Sequence, residues 1–321
     1  MDATRAERPQ TFIVRLFPQG RGVVERVRTG AKELIESVED IARVITAVLD
    51  KEDAMSLKGK HALVTGGSRG IGRGIALKLA EAGARVAIHY YANEAAAKET
   101  LDRVRKHGAD GVLVQADVSR VEDVRRMITD VKRAFGTLDV FVANARPEAA
   151  KFYQKPLEIT LEAWDHAMDS QAKAFLVGVR EAVPMMREGG RIVAITYAPG
   201  GQKGTWQPWV AMGSAKAALE SLVRYFAVAL ASRGITVNSV SPGLTDDSVL
   251  QSFGEAAVDI ARKWHGGGWT PMGRMGTPAD IGNVVGLLCS PDAAWLTGQT
   301  IHADGGASLV DTLLPLEIQR G

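Results

Sequence analysis

Two different hydrophobic rhythms divide the chain. Thr11 to Phe17 and Val23 to Val27 are rich in β-branched and aromatic residues, and Pro18, Gly20 and Gly22 lie between them, which predicts a hairpin. Lys32 to Ile35 predicts a third strand. Ser37 and Asp40 then form a capping pattern for a helix with Ile41, Val44, Ile45 and Val48 on its apolar face. Residues 1–57 therefore read as a small N-terminal α+β module of ββα type, with a linker over Lys51 to Leu57. So small a module holds little stability alone and is expected to dock on the main domain or on a partner subunit.

From Lys60 onward short apolar runs alternate with helical spacing, the pattern of a parallel sheet with crossover helices on both faces. Strands are predicted at His61 to Val64, Arg85 to Tyr90, Gly111 to Gln115, Leu138 to Val142, Arg191 to Thr196, Thr236 to Ser239 and Thr300 to Ala303. Val124, Met127, Ile128, Val131 and Phe135 recur at helical spacing behind a predicted Ser119/Glu122 capping box, and Leu219, Leu222, Val223, Phe226 and Leu230 do the same. Gly83, Gly136 and Gly234 are placed to stop three helices. The expected fold for residues 58–321 is α/β, a doubly wound Rossmann-like domain on a seven-stranded parallel sheet.

Composition narrows the function classes. A net charge of +2 in 321 residues is too small for a nucleic-acid or anionic-membrane footprint. Cys289 is the one cysteine, which excludes an internal disulfide and offers no thiolate cluster for a metal. No apolar run suits a membrane span and Met1 to Gln10 is not signal-like, so a cytoplasmic protein is expected.

Directly after the first predicted strand of the large domain comes Thr65-Gly66-Gly67-Ser68-Arg69-Gly70-Ile71-Gly72, followed by a helix. Glycines there permit a sharp turn and close approach of a pyrophosphate, and the helix N-terminus supplies N–H donors. This TGxxxGxG spacing resembles the fingerprint of the short-chain dehydrogenase/reductase superfamily, and the resemblance covers about residues 59 to 310. An NAD-selective site is expected to carry an acid at the end of the second strand. Here that stretch reads Ile88-His89-Tyr90-Tyr91-Ala92-Asn93, where His89 and Tyr90 are expected to face the cofactor, and Arg69 could pair with a 2′-phosphate, which favours NADP(H) over NAD(H).

Further correspondences follow from the resemblance. Asp117-Val118 matches the segment that contacts adenine, Asn144-Ala145 matches part of an Asn-Asn-Ala-Gly motif, and Pro242-Gly243 matches the nicotinamide side. Ala143 and Arg146 replace the flanking members of that motif, and Arg146 could crowd the ribose or reach substrate. The family's reactive pair is a Tyr and a Lys on one helix. Lys216 is the lysine, but the usual Tyr position is Met212. Enoyl-acyl carrier protein reductases place their Tyr seven residues before the Lys, where this chain has Trp209.

The run Met212 to Ala227 and Ile195-Thr196-Tyr197 also look like the enoyl reductases, with Tyr197 a second hydroxyl for the site. Gln171 stands where the family has a further Asn, and the resemblance implies a catalytic role in which it could still hold a water with altered reach. Indole N–H donates but does not ionise near neutrality. It cannot protonate the localised alkoxide of ketone reduction, whereas a delocalised enolate needs a donor first and can take its carbon proton from water. The expected function is NADPH-dependent reduction of an enoyl thioester, small or carried on an acyl carrier. The alternatives are a carbonyl reductase or alcohol dehydrogenase and a non-catalytic NADP(H)-binding protein in which Trp209 fills volume.

Between Pro242 and Pro278 a lid is expected, with Val249, Leu250, Phe253, Ile260 and Trp264 apolar and Gly266-Gly267-Gly268 a hinge. His265 has no nameable partner, and Asp246 and Asp247 read as capping or solvated. The resemblance implies a homodimer or homotetramer through the helices carrying Gln171 and Lys216.

Overall fold

The computed structural model describes residues 12–18, 21–26, 32–45, 56–148, 151–197, 207–251 and 254–310. The chain divides into two compact units, Met1–Ser56 and Leu57–Gly321. In the first, β1 (Phe12–Leu16), β2 (Gly22–Arg26) and β3 (Lys32–Ile35) form an antiparallel sheet in that order, with Val14 opposite Val24. Helix starts at Asp40, whose Oδ2 accepts from the Ser37 N–H at 3.1 Å and the Ser37 hydroxyl at 3.2 Å. Val48 and most of the expected linker lie outside the described residues.

The second unit contains β4 (His61–Val64), β5 (Arg85–Tyr90), β6 (Gly111–Gln115), β7 (Leu138–Ala143), β8 (Met186–Ile195), β9 (Thr236–Pro242) and β10 (Thr300–Ala303). They pair in parallel in the order β10-β9-β8-β7-β4-β5-β6. Strand order reverses between β4 and β7, which opens a crevice at their C-terminal ends.

Side chains alternate between two cores, as a sheet covered on both faces requires. Leu63, Ala87, Phe141, Ile192 and Val237 pack under α3 (Val121–Phe135), α5 (Ala174–Ala182) and α6 (Val210–Leu230). Ala62, Val64, Ile88, Val142 and Val193 pack under α1 (Gly70–Glu81), α2 (Glu94–Lys106) and α8 (Pro278–Cys289). A further helix, α4 (Leu161–Met168), enters α5 through a π turn, Asp169–Lys173.

One local expectation fails. The Ser119/Glu122 capping box does not form, because Asp117 Oδ1 takes both the Ser119 N–H at 2.9 Å and its hydroxyl at 2.7 Å. Asp123 Oδ2 instead accepts from the Asp117 N–H at 3.0 Å, and Arg120 becomes an N-cap without a side-chain bond.

Asp139 ties the N-terminal ends of the central strands. Its carboxylate accepts from the His61 N–H at 2.9 Å, Arg187 Nη2 at 2.5 Å and Lys60 Nζ at 3.3 Å. Burial pushes its pKa up, but these donors outweigh it and leave the carboxyl below its usual range. A depressed carboxyl pKa stabilises the fold above the unfolded value, and the contribution is lost as pH falls through the folded one. Asp139→Asn is expected to lower the unfolding free energy at pH 7 by about 1–3 kcal/mol. In urea titrations the deficit should narrow below about pH 4; a pH-independent deficit would reject the charge argument.

Candidate functional site

The chain leaves β4 in the glycine turn, and its geometry is fixed by backbone proximity. Gly66 and Gly70 have φ of 63° and 54°, in the left-handed region that side chains avoid. A Cβ at Gly72 would lie 2.0 Å from the Gly66 carbonyl oxygen, so only glycine lets the helix start this close to the strand exit. Thr65 Oγ1 accepts from the Asn144 N–H at 2.8 Å and the Ala145 N–H at 3.0 Å, and Asn144 Nδ2 donates to the Thr65 carbonyl at 2.9 Å. Thr65, Asn144 and Ala145 thus lock the exits of β4 and β7 together.

His89 was expected to face a cofactor, and the structure corrects this. Its Nδ1 accepts from the Gly66 N–H at 2.9 Å and its Nε2 lies 3.1 Å from the Ala116 carbonyl, which assigns the proton to Nε2. Both ring nitrogens are committed to the protein. Burial pushes the pKa down to about 4, so the ring is neutral at ordinary pH and acts as a clip across β4, β5 and β6.

The rest of this end fits a dinucleotide. No side chain caps α1 and no acid stands in its first turn, so the N–H groups of Gly70, Ile71 and Gly72 form an anion-binding terminus with Arg69 exposed at the N-cap. Ser68 is buried, its carbonyl held by Arg73 and Thr100. Beyond β5, Tyr90 is half-buried, Asn93 Oδ1 caps α2 at 2.9 Å, and Glu94 pairs with Lys98. No carboxylate stands where it would meet a 2′-phosphate before Glu94. Asp117 and Val118 follow β6, half-buried in the same crevice.

The reacting end gathers around Lys216. This lysine is 5% exposed, and its Nζ donates to the Ile195 carbonyl at 2.5 Å. Glu220, one turn on, does not pair with it; Glu220 Oε1 accepts from the Thr196 hydroxyl at 2.5 Å. Burial first, then the nearby Arg146 charge, push the lysine pKa down to about 7, with Glu220 opposing. Met212, in the usual Tyr position, is core: it packs with Phe152, Ala167, Ala211 and Ala215.

Trp209 is the N-cap residue of α6 and lies in an aromatic cluster. The Tyr197 ring stacks on it, tilted by 32° at 5.5 Å, and Phe152 and Tyr153 meet it edge-on at 4.9 and 6.3 Å. The structure therefore stacks Trp209 on Tyr197, two residues beyond the Ile195 carbonyl that holds Lys216, and burial raises the Tyr197 pKa. Gln171 departs from expectation. It sits in the π turn, 2% exposed, and its Nε2 donates to the Ala145 and Ser170 carbonyls at 3.1 and 2.9 Å, so it braces the β7 exit.

On the lid side, Gly243 follows Pro242 against Asp304, whose Cα would stand 2.8 Å from a Cβ at that glycine. Asp246 pairs with Arg262, and Asp247 Oδ1 accepts from the Leu250 N–H. Ile260 and Trp264 on α7 (Glu255–Trp264) are 68% and 55% exposed, so neither packs inward. His265 Nδ1 is 2.7 Å from the Thr270 hydroxyl, inside a π turn that includes the three glycines. The side chains of Val249 and Phe253 lie outside the described residues.

Sequence reasoning missed Phe152 and Tyr153. They reach Trp209 because Gln154 bridges to it and donates its N–H to the Pro208 carbonyl at 3.2 Å, a pairing across more than fifty residues that leaves no local signal. Among the described residues no cluster of His, Cys, Asp or Glu could hold a metal. No described helix is long and apolar enough to cross a membrane.

Comparison with known proteins gives a consistent result. The family pattern described as Enoyl-(Acyl carrier protein) reductase matches residues 65–308. Hydroxynaphthalene reductase-like protein Arp2 of Metarhizium brunneum is 36% identical over 265 residues, covering 80% of this chain and 98% of that protein. Versicolorin reductase 1 of Aspergillus parasiticus is 34% identical over 266 residues, covering 79% and 98%. Among solved structures, the angucycline C-6 ketoreductase LanV with bound NADP superposes with a TM-score of 0.71 at 38% identity, covering 79% of this chain and 98% of that one.

A lysine whose pKa is lower folded than unfolded holds fewer protons folded between the two values, so its contribution to stability grows as pH rises from about 7. In the cofactor-free protein the unfolding free energy should rise more steeply between about pH 7 and 9 than in Lys216→Met. Equal slopes would mean that the ammonium is not desolvated.

Proposed function

The chain belongs to the short-chain dehydrogenase/reductase superfamily, and within it we propose that this protein is an NADPH-dependent reductase of an enoyl thioester, free or on an acyl carrier. One observation carries the reading: beside a buried Lys216, both phenol positions of α6 are filled by groups that cannot ionise, Met212 in the core and Trp209 stacked on Tyr197. When bound, NADPH supplies the hydride. Residues suited to hold it are the α1 N-terminus, Arg69, Asp117, Val118, Lys216 and the Pro242-Gly243 segment.

The protein's own part is to place a carbonyl oxygen and tolerate charge on it. Hydride arrival at the β-carbon delocalises negative charge onto that oxygen, and a neutral donor such as the Tyr197 hydroxyl stabilises it without giving up its proton. The raised Tyr197 pKa suits a donor of this kind and not a general acid. Arg69 and the lack of an acid between the end of β5 and Glu94 support NADPH over NADH. α4, α5 and α6 are proposed to form the contact of a homodimer or homotetramer.

A second reading is carbonyl reduction. It is favoured by the relatives, whose names describe a hydroxynaphthalene reductase-like protein and a ketoreductase. NADPH oxidation separates the two. Turnover with a short 2-enoyl thioester and little with cyclic ketones is expected, and Tyr197→Phe should lower kcat about 10²-fold. Turnover of ketones alone would select the second reading. Arg69→Ala should weaken NADPH binding about tenfold in fluorescence titrations and leave NADH binding unchanged; equal losses for both would remove Arg69 from the 2′-phosphate.

A further inference from the structure

Arg146 puts a second cation at the reacting end, where the family motif has a small residue. Ala143 pairs in register with Ala194, so Asn144, Ala145 and Arg146 leave β7 beside Ile195, Thr196 and Tyr197 leaving β8. Ile195 holds the Lys216 ammonium through its carbonyl. Arg146 is half-buried, and among the described residues its side chain makes one hydrogen bond, Nη1 to the Pro147 carbonyl at 2.8 Å. The Nε and Nη2 donors stay uncommitted there.

Among the described residues no acid forms an ion pair with Arg146. Glu220 Oε1 holds Thr196, Asp246 pairs with Arg262, and the two acids that act on Arg146 by charge are Asp247, whose Oδ1 accepts from the Leu250 N–H, and the exposed Glu148. Neither Arg146 nor Lys216 has a carboxylate within 4.0 Å among the described residues. A half-buried guanidinium without a counter-ion is costly unless an anion completes it. The proposed cofactor site assigns its phosphates to Arg69, whose charge also acts on Arg146, and to the α1 N-terminus, which leaves Arg146 for charge that arises at the substrate.

We propose that Arg146 is a further catalytic residue, whose guanidinium holds the negative charge that reduction places on the substrate carbonyl oxygen. This rests on the enoyl-thioester reading. The hydride supplied by a reduced nicotinamide forms the new C–H bond at the β-carbon. The alkene π pair becomes the Cα–C double bond, and the carbonyl π pair moves onto oxygen as the enolate. The enolate then collapses as the α-carbon takes a proton from water, which leaves as hydroxide; the substrate is reduced, the nicotinamide oxidised, and Arg146 keeps its proton throughout. Burial lowers the Arg146 pKa, yet a guanidinium stays charged through the neutral range, whereas Lys216 at about 7 is only partly charged.

The test uses 4-nitrophenol, whose ionisation is visible, as an oxyanion probe on the full chain with NADP⁺. Wild type is expected to raise the probe's ionisation constant about tenfold or more, and Arg146→Met to abolish this while binding NADP⁺ within about threefold of wild type. Arg146→Lys should recover part of the effect, and Arg146→Met should lower kcat on an enoyl thioester about 10²-fold with little change in KM. An unchanged ionisation constant in Arg146→Met overturns the proposal, as does a tenfold loss of NADP⁺ affinity without a change in the probe, which puts the guanidinium on the cofactor phosphates. A wild type that shifts the probe through Arg146 but reduces no enoyl thioester supports the anion-holding role and overturns the reductase reading alone.

Discussion

The structure depends on how closely two strand exits approach each other. Thr65 Oγ1 collects two backbone N–H groups from the end of β7, while Gly72 passes so near Gly66 that a single methyl would not fit. These contacts bring the α1 N-terminus, the Asn144-Ala145 segment and the β8 exit to one crevice. Each later feature, from the uncapped helix terminus to the position of Lys216, takes its geometry from that closure.

Electrostatically the crevice has two parts. At one end a helix terminus and Arg69 face solvent with no acid to answer them, a surface built for phosphate. At the other, Lys216 and Arg146 are taken partly out of water, and Glu220, the acid that acts on Lys216 by charge, is tied to Thr196. Charges so desolvated cluster at functional sites, where an anion can offset their cost. The aromatic cluster of Trp209, Tyr197, Phe152 and Tyr153 walls this end with rings, so a charge appearing there is poorly screened by solvent.

The fold was largely legible because its signals are local. The seven strands of the large unit carry continuous apolar runs, and Gly66, Gly70 and Gly72 mark a turn whose steric need is written in residue type. Roles that hang on a side chain's direction were less legible. His89 and Gln171 stand where the family resemblance leads one to expect ligand contacts, yet both side chains bond to backbone groups, and nothing in their neighbours' identities distinguishes bracing from contact. The Ser119/Glu122 box failed for a similar reason: Asp117 competes for the same serine, and that contest is decided by where β6 ends. Tyr153 and Arg146 acquire meaning through strand order, which brings distant segments together.

The His89 clip carries one more consequence. A ring with both nitrogens engaged is lost as a proton carrier, and with its pKa near 4 it keeps one tautomer across the range in which Lys216 changes charge. The packing of the glycine turn and the ionic state of Lys216 are thereby decoupled: neutral-range acidity can tune the second while the first stays mechanically constant.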